Sequence, residues 1–228
     1  MRTLVVIPGR DIAATVAPLV GKIRAQDPAL DVLVVDDGST DGTAEAARRA
    51  GAEVVAHDGN RGKGAALRTG IAHAAARGYD AIVTMDGDLQ HDPSAIPQFV
   101  AALARGDGDI VVGTRMRAVG SMPPIRVWTN RTTSRVVSRL AGQDIPDSQS
   151  GFRIMRTSAV SGIRLVTSRY DTESEILIRA ARRGARIASI PIEAMGPCLS
   201  STRCSFRSIS RTSPLAKGPV ATAEDEAA

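Results

Sequence analysis

The stretch from Tyr79 to Gln90, YDAIVTMDGDLQ, decides how the rest of the chain is read. Ala81 to Met85 is a short apolar run of the kind a buried strand makes, and it stops at Asp86-Gly87-Asp88, with Gln90 just beyond. Side chains at i and i+2 of an extended backbone share a face, so Asp86 and Asp88 are expected to stand together where the strand leaves the sheet. In open parallel sheets that carboxyl edge is where ligands bind. Paired carboxylates with an oxygen-bearing neighbour make a hard-cation site, of the kind that holds Mg²⁺ or Mn²⁺ against a diphosphate. Asp-Gly is also the commonest turn dipeptide, so taken alone the motif reads first as a surface turn.

Working outward, the flanking sequence supplies the context. Thr3 to Ile7 is apolar and β-branched, Pro8-Gly9 breaks it, and Ile12 to Ala25 has apolar residues at helical spacing. Val32 to Val35 is a second apolar strand, ending in Asp36-Asp37-Gly38-Ser39-Thr40-Asp41-Gly42 before an alanine-rich helix that closes near Gly51. Ser39 or Thr40 is the expected cap of that helix, with Asp41 in its first turn. Glu53 to Ala56 is a third strand, followed by the loop Gly59-Asn60-Arg61-Gly62-Lys63-Gly64 and a helix over Ala65 to Ala76.

Beyond the central stretch a helix begins behind Pro93, and Asp109 to Gly113 reads as a strand. Thr114 to Pro124 is a loop carrying Arg115 and Arg117, and Ile125 to Leu140 is an amphipathic helix with Arg126, Arg131, Arg135 and Arg139. Asp147 to Arg153, DSQSGFR, turns into a short strand; Tyr170 to Arg183 is a helix with Glu173 and Glu175 near its start, and Arg186 to Ile192 is the last strand. Apolar strands alternating with helices describe an α/β fold, a mostly parallel, Rossmann-like sheet with helices on both faces. Right-handed crossovers then bring the loops after Ile7, Val35 and Met85 to one edge.

A chain of 228 residues suits one sizeable domain, here residues 1–193, while residues 194–228 form an irregular segment, rich in Ser and Arg and expected to be mobile. With 43% hydrophobic and 23% charged residues the chain is globular. No run approaches the roughly 18 to 20 apolar residues of a membrane span, and MRTLVVIPGR is no signal peptide, so a cytoplasmic protein is expected. The net charge of +5 suits anionic membrane surfaces, phosphate-bearing substrates or nucleic acid, but only six aromatic residues argue against base stacking, and nucleic acid is set aside. Cys198 and Cys204 have no histidine nearby to make a zinc site and are expected to be reduced thiols.

Each remaining motif has a plain reading beside the functional one. Asp36-Asp37 ends a strand, as turn acids do; acceptor-only carboxylates at a sheet edge also suit a nucleobase N–H or a ribose hydroxyl. GNRGKG lacks the glycine spacing and the Ser/Thr of a P-loop, which disfavours Walker-type chemistry, although its N–H groups and Arg61 and Lys63 suit an anion. His57, His73 and His91 are not at metal-ligand spacing; His73 reads as a helix-surface residue, and His91 lies beside the acidic pair. The arginines of the second half read as a solvated helix face, or as bidentate holders of a second phosphate.

Taken together, LVVIP, VLVVDDGSTDGT, GNRGKGAALRTGI, AIVTMDGDLQHDP, DIVVGTR, DSQSGFR and ESEILIRAARRG resemble the family 2 glycosyltransferases of GT-A fold, and within them the dolichol-phosphate or polyprenyl-phosphate mannosyl- and glucosyltransferases. The resemblance covers residues 1–193. It implies inverting transfer of a hexose from GDP-mannose or UDP-glucose to a polyprenyl or dolichyl phosphate, with Mg²⁺ or Mn²⁺ as cofactor, by a cytoplasmic enzyme peripheral to the inner membrane face. Pro8, Asp36 and Asp37 would lie against the nucleoside, Lys63 near the nucleotide, and Asp86, Gly87 and Asp88 at the nucleotide sugar. Asp88 and Gln90 would ligate the metal. Arg115, Arg126 and Arg131 would hold the acceptor phosphate, with Arg115 catalytic. Asp147 and Gln149 would face the sugar, Asp147 being the candidate base. A soluble phosphorylated acceptor, or a non-catalytic nucleotide-binding homologue, are the alternatives. Two departures stand out. The acid expected in the first loop is replaced by Ile12, with Asp11 one position earlier, and Ala194-Met195-Gly196-Pro197 replaces the family's Tyr/Lys-bearing motif, where Arg203 is a candidate substitute.

Overall fold

The computed structural model describes residues 1–114, 124–167 and 171–192, with side chains of the helix at 124–141 described from Trp128 onward. Arg115, Arg117, the side chain of Arg126, both cysteines, Arg203 and all of residues 194–228 lie outside the described residues.

The strands are β1 (Thr3–Gly9), β2 (Asp31–Asp36), β3 (Glu53–Ala56), β4 (Ala81–Thr84), β5 (Ile110–Thr114), β6 (Arg153–Arg156) and β7 (Ile187–Pro191). The helices are α1 (Ala13–Gln26), α2 (Thr43–Arg49), α3 (Lys63–Ala76), α4 (Ile96–Arg105), α5 (Pro124–Ala141), α6 (Thr157–Val160) and α7 (Asp171–Arg182). Pro93 opens a 3₁₀ turn that runs into α4, capped by the Asp92 carboxylate accepting from the Ser94 N–H at 3.0 Å.

The strands form one sheet in the order β3-β2-β1-β4-β6-β5-β7. All pairings are parallel except those of β6, which runs antiparallel to β4 and β5 and pairs Val83 with Ile154. The reversal has a local cause. The DSQSGFR segment delivers the chain to Arg153 opposite Thr84, at the carboxyl end of β4, so β6 can only run back from there.

Alternation along each strand sends side chains to two cores. Val5, Ile7, Val32, Val34 and Val83 pack with Leu19 and Ile23 of α1 and Phe99 and Leu103 of α4. Leu4, Val6, Leu33, Val35 and Ile82 pack on the other face with Ile71 of α3, Val137 of α5 and Leu177 of α7. Because both faces are covered, the strands carry no polar stripe. α3 comes closest: a Cβ at Gly70 would lie 2.4 Å from Val6 Cγ1, so only glycine lets this helix settle on β1. His73, expected on the helix surface, is instead largely covered, its Nε2 lying 3.4 Å from a Glu53 carboxylate oxygen.

β2 and β3 lie to one side of β1, and β4 to the other. The strand order therefore reverses between β1 and β4, and a crevice opens at their carboxyl ends.

Candidate active site

The crevice is built first by two interlocked loops. The N-terminus of α1 has no side-chain cap of its own, and the loop after β2 supplies one. Ser39 Oγ accepts from Asp11 N–H, Thr43 Oγ1 from Ile12 N–H and Asp41 Oδ2 from Ala13 N–H, each at 2.9 Å. This corrects the capping expected for α2. Gly42, with φ +84°, is its N-cap, Asp41 precedes it, and Glu45 is the acid in its first turn. Asp36 is buried and accepts from both the backbone N–H and the hydroxyl of Ser39, so it shapes the turn and is not among the residues lining the crevice.

Asp37 organises the third loop. Its Oδ1 accepts from His57 Nδ1 at 2.7 Å and from Arg61 N–H at 2.9 Å, and its Oδ2 accepts from Gly62 N–H at 2.7 Å. His57 is itself fixed by Thr69 Oγ1, 2.9 Å from Nε2. Burial pulls the Asp37 carboxyl upward, but His57 and the two N–H donors outweigh it and hold the group below its ordinary value. The glycine-rich loop is therefore tied to the end of β2 by a carboxylate that stays ionised.

A second charged cluster stands at the end of β4. Lys63 Nζ lies 2.5 Å from Asp86 Oδ1 and 2.8 Å from Glu173 Oε1. Beneath them the fully buried Arg153 donates to the carbonyls of Ser150 and Glu173. Burial works against the Lys63 ammonium, yet Asp86 and Glu173 raise its pKa. Burial likewise works against ionised Asp86, yet Lys63, His91 and Arg153 lower its pKa. His91 is buried against Phe152, with Nε2 3.9 Å from Asp86. The DSQSGFR segment closes over the same carboxylate: Thr84 Oγ1 donates to Gly151 carbonyl at 2.9 Å, and a Cβ on Gly151 would lie 2.7 Å from Asp86 Oδ2.

Asp86 and Asp88 do not share a strand face, because β4 ends at Thr84 and the twofold side-chain period ends with it. Asp88 is exposed; its Oδ1 accepts from Gln90 N–H at 3.0 Å across a turn in which Leu89 has φ +62°. Gln90 is exposed and is not among the cleft-lining residues.

The result is a cleft of about 750 Å³. Pro8, Gly9, Arg10 and Ile12 come from the end of β1, Asp37 from β2, Asn60 to Lys63 and Ala66 from the loop and α3, and Asp86 to Asp88 from β4. Asp11 is not part of the lining, and its carboxylate accepts from Thr40 N–H instead. Asp147 is fully buried, where its charge bears on Arg153, and does not line the cleft. Gln149 is half-buried and donates to Ser174 Oγ at 3.1 Å. Arg131 is exposed on α5. The structure adds His57, Arg153 and Glu173 to the residues anticipated. Glu173 carried a legible signal, since it stands three and four residues before the buried Ile176 and Leu177, a core-facing position where a carboxylate demands a partner.

Among the described residues no three His, Cys, Asp or Glu side chains cluster as a ready-made metal cage. The donor set still fits Mg²⁺ or Mn²⁺. Asp86 and Asp88 both line one cleft, and such ions commonly take one or two carboxylates plus substrate phosphates.

A mostly parallel seven-stranded sheet with this cleft at its reversal point defines a GT-A glycosyltransferase fold, as a solved structure bears out. Glucosyl-3-phosphoglycerate synthase from Mycobacterium tuberculosis, in complex with Mn²⁺ and UDP-glucose, superposes with a TM-score of 0.68 over 83% of this chain and 68% of that one, at 23% identity. The sequence profile of glycosyl transferase family 2 matches residues 4–164, and the chain belongs to that family. It is 32% identical over 203 residues to undecaprenyl-phosphate mannosyltransferase of Micrococcus luteus, covering 84% of this chain and 83% of the relative. It is 31% identical over 185 residues to UDP-N-acetylglucosamine–dolichyl-phosphate N-acetylglucosaminyltransferase of Methanococcus voltae, covering 72% and 74%.

Proposed function

We propose that this glycosyltransferase moves a hexose from a nucleotide sugar to a polyprenyl or dolichyl phosphate, with inversion and with Mg²⁺ or Mn²⁺ as cofactor. The observation that carries this reading is the convergence of Asp37, Lys63, Asp86 and Asp88 in one cleft at the sheet reversal. The relatives named for transfer to lipid phosphates supply the acceptor class.

In this account Pro8 and Asp37 hold the nucleoside, Asp86 and Asp88 hold the metal, and Lys63 neutralises the diphosphate. The bound ion would stabilise the charge developing on the departing nucleoside diphosphate. Lys63 starts paired with Asp86 and Glu173, so binding the diphosphate and its metal exchanges one set of ionic partners for another. Arg153 donates to the Glu173 main-chain carbonyl and so holds the turn of α7 from which the Glu173 carboxylate reaches Lys63. A lipid phosphate is already ionised at neutral pH, so attack on the anomeric carbon needs no base from the buried Asp147. Arg115, Arg126 and Arg131 are assigned to the acceptor phosphate.

Membrane contact is assigned to α5. Its exposed face sets Trp128, Val136 and Leu140 beside Arg131, Arg135 and Arg139, apolar and cationic groups in adjacent stripes that suit an anionic bilayer surface. No described helix is long and apolar enough to cross a membrane.

The test offers labelled GDP-mannose, UDP-glucose or UDP-GlcNAc with Mn²⁺ to the protein, in parallel with a polyprenyl phosphate and with a soluble phosphorylated acid. Label entering the organic-extractable fraction supports the reading. Label entering only the soluble acceptor overturns the lipid assignment, and no transfer at all overturns the activity.

A further inference from the structure

The turn that carries Asp88 is held from outside the cleft. β4 ends at Thr84, and Met85 N–H donates to the Val6 carbonyl at 3.2 Å just before the chain leaves the sheet. Asp86 is then fixed by Lys63, 2.5 Å away, and by the close approach of Gly151. Asp88 has neither support. It is exposed, and its carboxylate accepts from Gln90 N–H within its own turn, where Leu89 takes a left-handed φ of +62°. Among the described residues, one hydrogen bond ties residues 87–90 to another element: Thr15 Oγ1, in the first turn of α1, lies 2.6 Å from the Gly87 carbonyl oxygen.

A hydroxyl has one proton to give, and Thr15 has two carbonyls within reach. The Ile12 carbonyl, 3.2 Å away, already accepts from the N–H groups of Thr15 at 3.0 Å and Val16 at 2.9 Å, which fills both its lone pairs. The proton therefore goes to Gly87. The Gly87 carbonyl and the Asp88 N–H belong to one rigid peptide plane, so holding that oxygen holds the Cα from which the Asp88 carboxylate departs. Ile12 covers the same glycine, its Cδ1 lying 2.5 Å from where a Cβ would stand. The first turn of α1 is itself pinned by Ser39, Asp41 and Thr43 of the loop after β2.

We infer that Thr15 is a positioning residue for Asp88, its hydroxyl setting the peptide that aims this carboxylate at a divalent ion. Thr15 does not line the cleft and acts only through the bond to Gly87. The inference rests on the reading that Asp88 helps hold Mg²⁺ or Mn²⁺ against a nucleoside diphosphate. Loss of an outer residue that orients a metal ligand weakens metal binding by about 10-fold or more.

The experiment is calorimetric titration of the full chain with UDP and with GDP, each in Mn²⁺ and in EDTA, for wild type, Thr15→Val, Thr15→Ala and Thr15→Ser. Valine keeps the branched shape without the hydroxyl, alanine removes the hydroxyl in a strong helix former, and serine keeps it. The readout is the factor by which Mn²⁺ tightens nucleotide binding. Thr15→Val and Thr15→Ala are expected to lose about 10-fold or more of that factor, with metal-free binding and melting temperature near wild type, and Thr15→Ser to stay within about threefold of wild type. A full Mn²⁺ effect in either variant that lacks the hydroxyl overturns the inference and leaves the metal-dependent reading standing. So does an equal loss in Thr15→Ser, which would make the effect one of packing. No tightening by Mn²⁺ in the wild-type chain overturns the metal reading and this inference together.

Discussion

At the scale of single residues, Lys63 joins the parts of the cleft. It opens α3 and reaches both the acid at the end of β4 and the acid in α7. Lys63→Met removes the ammonium that Asp86 and Glu173 share, leaving buried Arg153 as their nearest fixed cation, and in the proposed reading takes the cation from the leaving diphosphate. Steady-state assay should show turnover reduced by about 100-fold or more, with the larger part in kcat. Unchanged kcat with a raised KM would place Lys63 in ground-state binding only. Gly151 makes a second prediction: Gly151→Ala pushes a Cβ to 2.7 Å from Asp86 Oδ2, so the carboxylate must shift. Activity is expected to fall by at least about tenfold while thermal stability drops by only about 1–3 kcal/mol, read from assay and melting of the same preparation. The acids at both strand ends were legible because charged residues directly after apolar runs have few places to go, and Lys63 because a cation in a glycine-rich loop at a helix start suits an anion. His57 and Arg153 were not, because their significance is a distance to residues 20 positions away, Asp37 and Glu173 respectively. Asp36 and Asp37 look equivalent in sequence, yet one builds its turn and the other ties a distant loop.

At the scale of elements, the start of α7 is held by Glu175, whose carboxylate accepts from Val166 N–H, Thr167 N–H, the Thr167 hydroxyl and Arg179. Burial pushes its pKa up, but these donors bring it down to about 2, against an ordinary 4.5. The folded value lies below the unfolded one, so this contribution to stability is complete above about pH 4.5 and is lost as pH falls toward 2. Glu175→Gln should cost about 1–3 kcal/mol at neutral pH and almost nothing near pH 2, so urea melts of the two proteins should converge on acidification. A constant offset across that window would contradict the clamp. α5 carries the other element-scale expectation. Trp128→Ser with Leu140→Ser should reduce co-sedimentation with anionic vesicles without altering nucleotide binding, and equal sedimentation would remove α5 from the membrane contact. Helix and strand positions were mostly readable from apolar periodicity, within a residue or two at their ends. The direction of β6 was not, since Arg-Ile-Met-Arg reads alike in either orientation and only the pairing of Thr84 with Arg153 decides it.

At the scale of the whole molecule, the reversal of strand order around β1 turns dispersed motifs into one site. Residues separated by as much as 110 positions, Lys63 and Glu173, meet because α3 and α7 pack on the same face of the sheet. The central claim is that this cleft performs metal-dependent sugar transfer to a lipid phosphate. Its most direct test compares wild type and Asp88→Asn for Mn²⁺-dependent transfer of labelled sugar to a polyprenyl phosphate, with folding verified by melting. The account predicts an organic-extractable product from the wild-type chain and a loss of about 100-fold or more in the variant. No lipid-linked product from GDP-mannose, UDP-glucose or UDP-GlcNAc, or a product undiminished by Asp88→Asn, would contradict it.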